Sequence, residues 1–209
     1  WDDDDGISAP AAHRRGARDA ATALATDPRV HLRRDTRGET SVLVQGFEGR
    51  EVLLTVAGVP LALPYDGLAR PGMLPWEWFD RAEILPGPAS LRRGPSGLGG
   101  GVALHLRRPG AGPRLAATAE LSFAGGARAH AFHAGRGGAV AWVVGGGLDG
   151  RPAFPLAAAF TPTRGEDGGR RTNSDHHRRH GLARVRVDLS GRHALEVTGG
   201  IVDGEFGVP

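Results

Sequence analysis

Hydrophobic and polar residues alternate cleanly in three stretches of the second half of the chain. In Leu115–Phe123, the residues Leu115, Ala117, Ala119, Leu121 and Phe123 share one face, and Thr118, Glu120 and Ser122 share the other. In Ala183–Leu189, Ala183, Val185, Val187 and Leu189 oppose Arg184, Arg186 and Asp188. In the last stretch Leu195, Val197 and Ile201 oppose Glu196 and Thr198. A period of two belongs to a β-strand with one face on an apolar medium. Ala127–Ala134 starts the same way, with Arg128 and His130 on one face, and Ala139–Val144 is apolar on both.

The first half reads differently. Ala17, Ala20, Ala21, Leu24 and Ala25 fall at helical spacing, ended by Pro28. Short apolar runs follow at Ser41–Val44, Val52–Val59, Ala82–Leu85 and Gly101–Leu106, and Trp76–Arg81 reads as a short helix opened by Pro75. Helices mixed with strands over this length predict a small α+β domain. The character changes around Arg107–Pro113. Beyond it, tight links at Gly125–Gly126, Arg136–Gly138 and Ser190–Arg192 contrast with a long polar stretch from about Pro155 to His177. Short turns at one end of a sheet and a long loop at the other fit a membrane β-barrel.

Composition narrows the classes. Of 209 residues, 34 are Gly and 15 are Pro, without a three-residue period, so many short turns are expected and collagen is excluded. All 26 basic residues are Arg, against 23 acidic ones, and a net charge of +3 implies no nucleic-acid partner. Without Lys there is no P-loop and no Schiff-base chemistry; without Cys there is no thiol catalysis, thiolate zinc site or disulfide. No stretch reaches the roughly 18 apolar residues of a membrane helix, a limit that does not touch membrane strands. The acidic run Asp2–Asp5 and the Ala/Pro segment after it read as a tail.

Thr40–Phe47 reads T-S-V-L-V-Q-G-F, Val52–Leu61 reads V-L-L-T-V-A-G-V-P-L, and Pro75–Ser90 and Gly94–Pro109 follow in order. With these blocks, residues 38–109 resemble the plug domain of a TonB-dependent outer-membrane receptor, in which the first is a β-run ending in Arg-Gly-Phe and the second a run into Asp-Gly-Val-Pro. Pro75–Ser90 resembles the approach to Glu-Val-Leu-Arg-Gly-Pro, and Gly94–Pro109 the glycine cluster and last plug strand. Gly169–Asp175 and Asp203–Pro209 are similar to segments of the early barrel. The sequence departs from the pattern at Gln45, Ala57, Pro86 and Ala103, and the first three weaken the ionic network that seats a plug.

The resemblance implies an α+β plug domain followed by antiparallel transmembrane β-barrel strands, an incomplete barrel. The boundaries are a tail at 1–16, the plug at 17–112, and the N-terminal part of the barrel at 113–209. Five strands cannot close, since barrels of this class begin at eight, so the chain is expected to be a piece of a longer receptor. The implied function is uptake of a scarce ligand, first of all a ferric siderophore, across the bacterial outer membrane. Plug rearrangement would be driven by TonB with ExbB and ExbD; no cofactor and no enzymatic activity are implied. In the family an apical plug loop points toward ligand, which singles out Tyr65, Asp66 and Arg70. Arg81 and Glu83 remain for plug seating, with Arg184 and Arg186 expected to face the lumen.

Other motifs carry competing readings. Gly145–Gly150 satisfies G-x-G-x-x-G, but Arg151, Pro152 and Pro155 follow where a dinucleotide site needs a helix; a glycine-rich strand is expected instead. Gly94–Gly101 reads as a turn before a strand. The segment Arg164–His180 holds five Arg, three acids and three His. From it Arg170, Arg171, His176 and His177 are candidates to meet an anionic ligand, with a plain solvated loop as the alternative. A metal site on His176, His177 and His180 is not expected, and neither are catalytic residues. The alternative function is a soluble β-rich binding module or a receptor-like protein without transport.

Overall fold

The computed structural model describes residues 6–34, 40–62, 67–85, 87, 97–110, 114–123 and 125–207. The chain divides into two compact units, Trp1–Arg107 and Arg108–Pro209.

In the first unit β1 (Gly6–Ser8) leads into a short helix, α1 (Ala9–Arg14), and then α2 (Ala20–Leu24). Next come β2 (Val30–Arg34), β3 (Thr40–Val44), β4 (Leu53–Val56), β5 (Val59–Pro60), β6 (Phe79–Leu85) and β7 (Gly101–Leu106). The main sheet has the order β1-β6-β7-β4-β5, with β4 and β7 parallel and the other pairs antiparallel; β2 and β3 form a separate hairpin. Leu24, Val44, Trp76, Phe79, Val102 and Leu104 fill the core, with the Trp76 and Phe79 rings 5.8 Å apart. The α2 helix starts on a capping box. The Asp19 carboxylate accepts from the Thr22 backbone N–H at 2.8 Å, while Thr22 Oγ1 accepts from the Asp19 N–H at 3.1 Å.

Three local expectations change. The segment read as a tail contributes β1 and α1, because Ile7, Ala9 and Ala12 are apolar enough to be buried. Trp76–Arg81 is not a helix: a single 3-10 turn at Trp76–Trp78 passes directly into β6. The alternation of Phe79, Ala82 and Ile84 around a one-residue irregularity prevails there over the Pro75 start signal. The Val52–Val59 run is two strands joined by Ala57-Gly58. Both turn residues have positive φ, 50° and 83°, which the right-handed twist of a two-residue hairpin requires. Gln45-Gly46 makes the same kind of turn, at 53° and 88°, between Val44 and Phe47, which exchange hydrogen bonds of 2.9 and 3.0 Å. Pro86, the third departure from the family pattern, lies outside the described residues.

The second unit is one antiparallel meander. Its strands are β8 (Arg114–Leu121), β9 (Ala127–Gly137), β10 (Val140–Arg151), β11 (His176–Ser190) and β12 (His193–Phe206), in the order β12-β11-β10-β9-β8. The sheet is open, with β8 and β12 at its edges. The last four strands have 11, 12, 15 and 14 residues, enough for the roughly 9–11 that a tilted strand needs to cross a bilayer. Register fixes two unlike faces. On one lie Leu115, Leu121, Val144, Leu148, Val185, Val197 and Ile201, all exposed. The other carries Arg128, Phe132, Val143, Asp149, Arg178 and Leu182, all buried. No helix among the described residues is long and apolar enough to cross a membrane, which says nothing of strands.

Gly145–Gly150 is the middle and end of β10, as a glycine-rich strand should be. A Cβ at Gly145 would stand 2.4 Å from the Ala131 carbonyl and 2.5 Å from the Phe132 ring. One at Gly147 would meet the His180 ring at 2.7 Å. These side chains lie across bare backbone, so the glycines are packing positions.

Candidate functional site

The chemistry-bearing groups of the second unit gather where the sheet meets the long loop. Cross-strand pairing aligns Glu120 with Arg128, Arg128 with Asp149, and Asp149 with Arg178, a transverse row of alternating charge over β8–β11. Directly opposed residues share a face and lie about 5 Å apart. Arg128, Asp149 and Arg178 are only 7%, 8% and 6% exposed. Asp149 is the hub: Arg178 Nη2 donates to its Oδ2 at 3.3 Å, and His176 Nε2 lies 2.9 Å from its Oδ1. Buried charges require such pairing, since desolvation without a partner costs several kcal/mol per ion.

The loop above the row is tied at its base. Arg151 stacks 3.5 Å over the Phe154 ring, and its Nη2 donates to the Ser174 carbonyl at 3.2 Å. Ser174 Oγ accepts from the Phe154 N–H at 2.9 Å and donates to the Arg171 carbonyl at 2.8 Å. The His176 ring stacks on Phe206, with centroids 5.9 Å apart and planes at 6°. Arg170 Nη1 reaches the Ala153 carbonyl at 2.6 Å, and Arg171 Nε lies 4.0 Å from Glu166. The loop thus folds on itself while keeping the Arg170 and Arg171 side chains exposed.

The structure separates two residues that the sequence grouped. β11 starts at His176, seven residues before the alternation becomes visible at Ala183. Consecutive strand residues point to opposite faces: His176 joins Asp149, while His177 lies on the apolar side, 4.0 Å from Glu205. Among the described residues no group of three His, Cys, Asp or Glu side chains can hold a metal ion.

Arg184 and Arg186 share the charged face. Arg184 Nη2 is 2.6 Å from Glu196, and Arg186 Nε donates to Asp188 at 2.9 Å, where Arg136 also binds at 3.0 Å. In the first unit Arg81 stands opposite His105 and Ser8, and Glu83 lies 3.3 Å from the His105 ring. Arg70 is half-buried at the head of the Pro71–Met73 turn; Tyr65 and Asp66 lie outside the described residues. Arg29 binds Asp27 through Nε at 2.9 Å and Nη2 at 2.7 Å, and this holds the Asp27 carboxyl below its ordinary range. Burial lowers the pKa of Arg107, whose Nε donates to the Glu77 carbonyl and fixes the exit of the chain from β7.

Asp149, Arg128 and Arg178 were not singled out from the sequence. The Arg128/His130 alternation was visible, but the row depends on register across four strands, and the glycines of β10 conceal its period.

A family model, the TonB-dependent receptor plug domain, matches residues 5–101. A search of curated protein sequences gives no match. Solved structures do match. The ferric yersiniabactin uptake receptor FyuA from Yersinia pestis has a TM-score of 0.76 at 16% identity, over 95% of this chain and 31% of that one. The copper transporter OprC matches at 0.74 and 19%, over 91% and 29%. The pyoverdine outer-membrane receptor FpvA from Pseudomonas aeruginosa PAO1 matches at 0.70 and 16%, over 90% and 26%. The chain thus spans about a quarter to a third of these receptors' length, taking in both the plug and the antiparallel strands that follow. Residues 5–101 thus match the plug domain of the TonB-dependent receptors, and the chain as a whole shares the fold of these solved receptors, a plug leading into an open antiparallel sheet with one apolar and one charged face.

Proposed function

We propose that the protein takes up a scarce ligand, first of all a ferric siderophore, by a plug rearrangement driven through TonB with ExbB and ExbD. The carrying observation is the continuity of plug and sheet along 95% of the chain with a siderophore receptor, at a TM-score of 0.76. The exposed guanidinium groups of Arg170 and Arg171 offer charge-assisted donors to an anionic chelate, and His176, at the start of β11, is a further candidate contact. His177, on the other face, leaves this ligand set. In the plug, Arg70 and the neighbouring Tyr65 and Asp66 remain the candidate contacts. Arg81, Glu83, Arg184 and Arg186 are proposed to act in seating the plug. The established members of the family are receptors rather than enzymes, and no covalent step is part of this reading.

The test is growth of a deletion strain under iron limitation on a panel of siderophores. Loss of growth on one ferric chelate, restored by the gene, is the expected result. Growth equal to wild type on every iron source contradicts the reading.

A further inference from the structure

Two aromatic rings at the loop end of the second unit stay in the open: Phe154 is 41% exposed and Phe206 is 46% exposed. Each is stacked on a flat polar group. The Arg151 guanidinium lies 3.5 Å over the Phe154 ring, and the His176 ring lies parallel to Phe206. Register joins the two stacks, because Arg151 stands directly opposite His176, and His176 directly opposite Phe206. The result is a shelf in the order Phe154, Arg151, His176, Phe206.

The shelf is fixed from below and charged from beside. His176 Nε2 lies 2.9 Å from the buried Asp149, and Arg151 Nη2 donates to the Ser174 carbonyl, so both flat groups are held in place. Beside Phe154 the loop doubles back. The Arg171 N–H donates to the Phe154 carbonyl at 2.8 Å, and Pro155 pairs with Arg170 in an isolated antiparallel bridge. This sets Arg171 across from Phe154, and both arginines are exposed. Because Arg151 covers one face of the Phe154 ring, the area left open is the other face and the edge.

We propose that this shelf makes the site selective for aryl-bearing anionic iron chelates, the catecholate class; the inference rests on the uptake reading above. A catecholate ring is flat, and its deprotonated oxygens make it electron-rich. It therefore stacks on Phe154 and Phe206 and is drawn to a guanidinium. A ferric tris-catecholate carries net negative charge, complementary to Arg170 and Arg171. Ferric citrate is anionic without an aryl group and gains the charge alone. A ferric trihydroxamate is neutral and not aromatic, and gains neither.

Calorimetric titration of the intact receptor in detergent with ferric dihydroxybenzoylserine, ferric citrate and ferrichrome (a trihydroxamate) tests this. The catecholate is expected to bind about tenfold more tightly than citrate, the scale of two aromatic stacks, with ferrichrome weakest. Phe154→Leu and Phe206→Leu keep apolar bulk but lose the ring. Each should weaken the catecholate about fivefold and leave citrate unchanged, while Phe154→Tyr retains the preference. Equal losses for catecholate and citrate in the leucine variants would make the rings props for the loop and overturn the proposal. Tightest binding of citrate or ferrichrome overturns it as well, and leaves uptake standing. So does absence of binding to all three; uptake itself falls only if the deletion strain also grows like wild type on every iron source.

Discussion

The plug unit encloses Trp76, Phe79, Val102 and Leu104 and leaves charges such as Arg33 and Arg34 in solvent. The five-stranded sheet does the reverse. Leu115 and Ile201 are 75% and 69% exposed, while Arg128, Asp149 and Arg178 are buried on the other side. One chain therefore carries two opposite rules for burial, and the difference lies in the solvent each unit is built for. In water an apolar face must be covered. In a bilayer the outward face is already in its own medium, and the polar groups must find partners inside.

The comparison breaks first at its most buried members. Phe79→Ala should cost the plug about 3–5 kcal/mol by loss of apolar contact and creation of a cavity. Asp149→Ala should cost the sheet a similar amount for an electrostatic reason, because it strips Arg178 and His176 of their shared acid. Denaturant titration checks both, and Asp149→Ala paired with Arg178→Leu should recover part of the loss. An additive double variant would show that the two do not act as a pair.

A second contrast depends on the medium. Val197→Arg, on the outward face, should cost up to about 2–4 kcal/mol in lipid bilayers, and little in water-accessible assemblies. Val102→Arg in the plug should be destructive in both. Equal effects of Val197→Arg in the two media would place that face in water.

The smaller effects lie in the plug. Asp27 is stabilised as a carboxylate by Arg29, so its contribution is present above the unfolded-state pKa near 3.9 and is lost as pH falls below it. Melting curves between pH 7 and pH 3 should fall more for wild type than for Asp27→Asn; parallel curves contradict this. Ala57→Asn should stabilise the β4–β5 hairpin by a few tenths to about 1 kcal/mol, because Asn accepts positive φ more readily than Ala. A lower melting temperature for that variant would mean that the turn is constrained by something other than its backbone.

Much of this architecture was legible because the period changes in mid-chain. The alternation of Leu115–Phe123, Ala183–Leu189 and Leu195–Ile201 showed which face was apolar, and the plug motifs placed β3, β4, β6 and β7. Where reading failed, competing signals explain it. Pro75 announces a helix, yet Trp76–Trp78 makes one turn before Phe79 enters the sheet. Gly145–Gly147 has no side chain to show a period, so half of β10 was hidden. The site was less legible still. His176 and His177 look equivalent in a polar stretch, and only the onset of β11 sends them to opposite faces. The charge row needs three registers at once, across four strands, which no single strand contains.

The central claim is that the outward face from Leu195 to Ile201 meets lipid while the intervening residues do not. Nitroxide labels placed singly at positions 195 to 202, with the protein reconstituted in bilayers, test it through collision with oxygen and with a water-soluble nickel chelate. Oxygen accessibility should peak at 195, 197, 199 and 201, with the nickel complex excluded from those positions. High nickel accessibility at those four positions, without a two-residue period, would contradict the account.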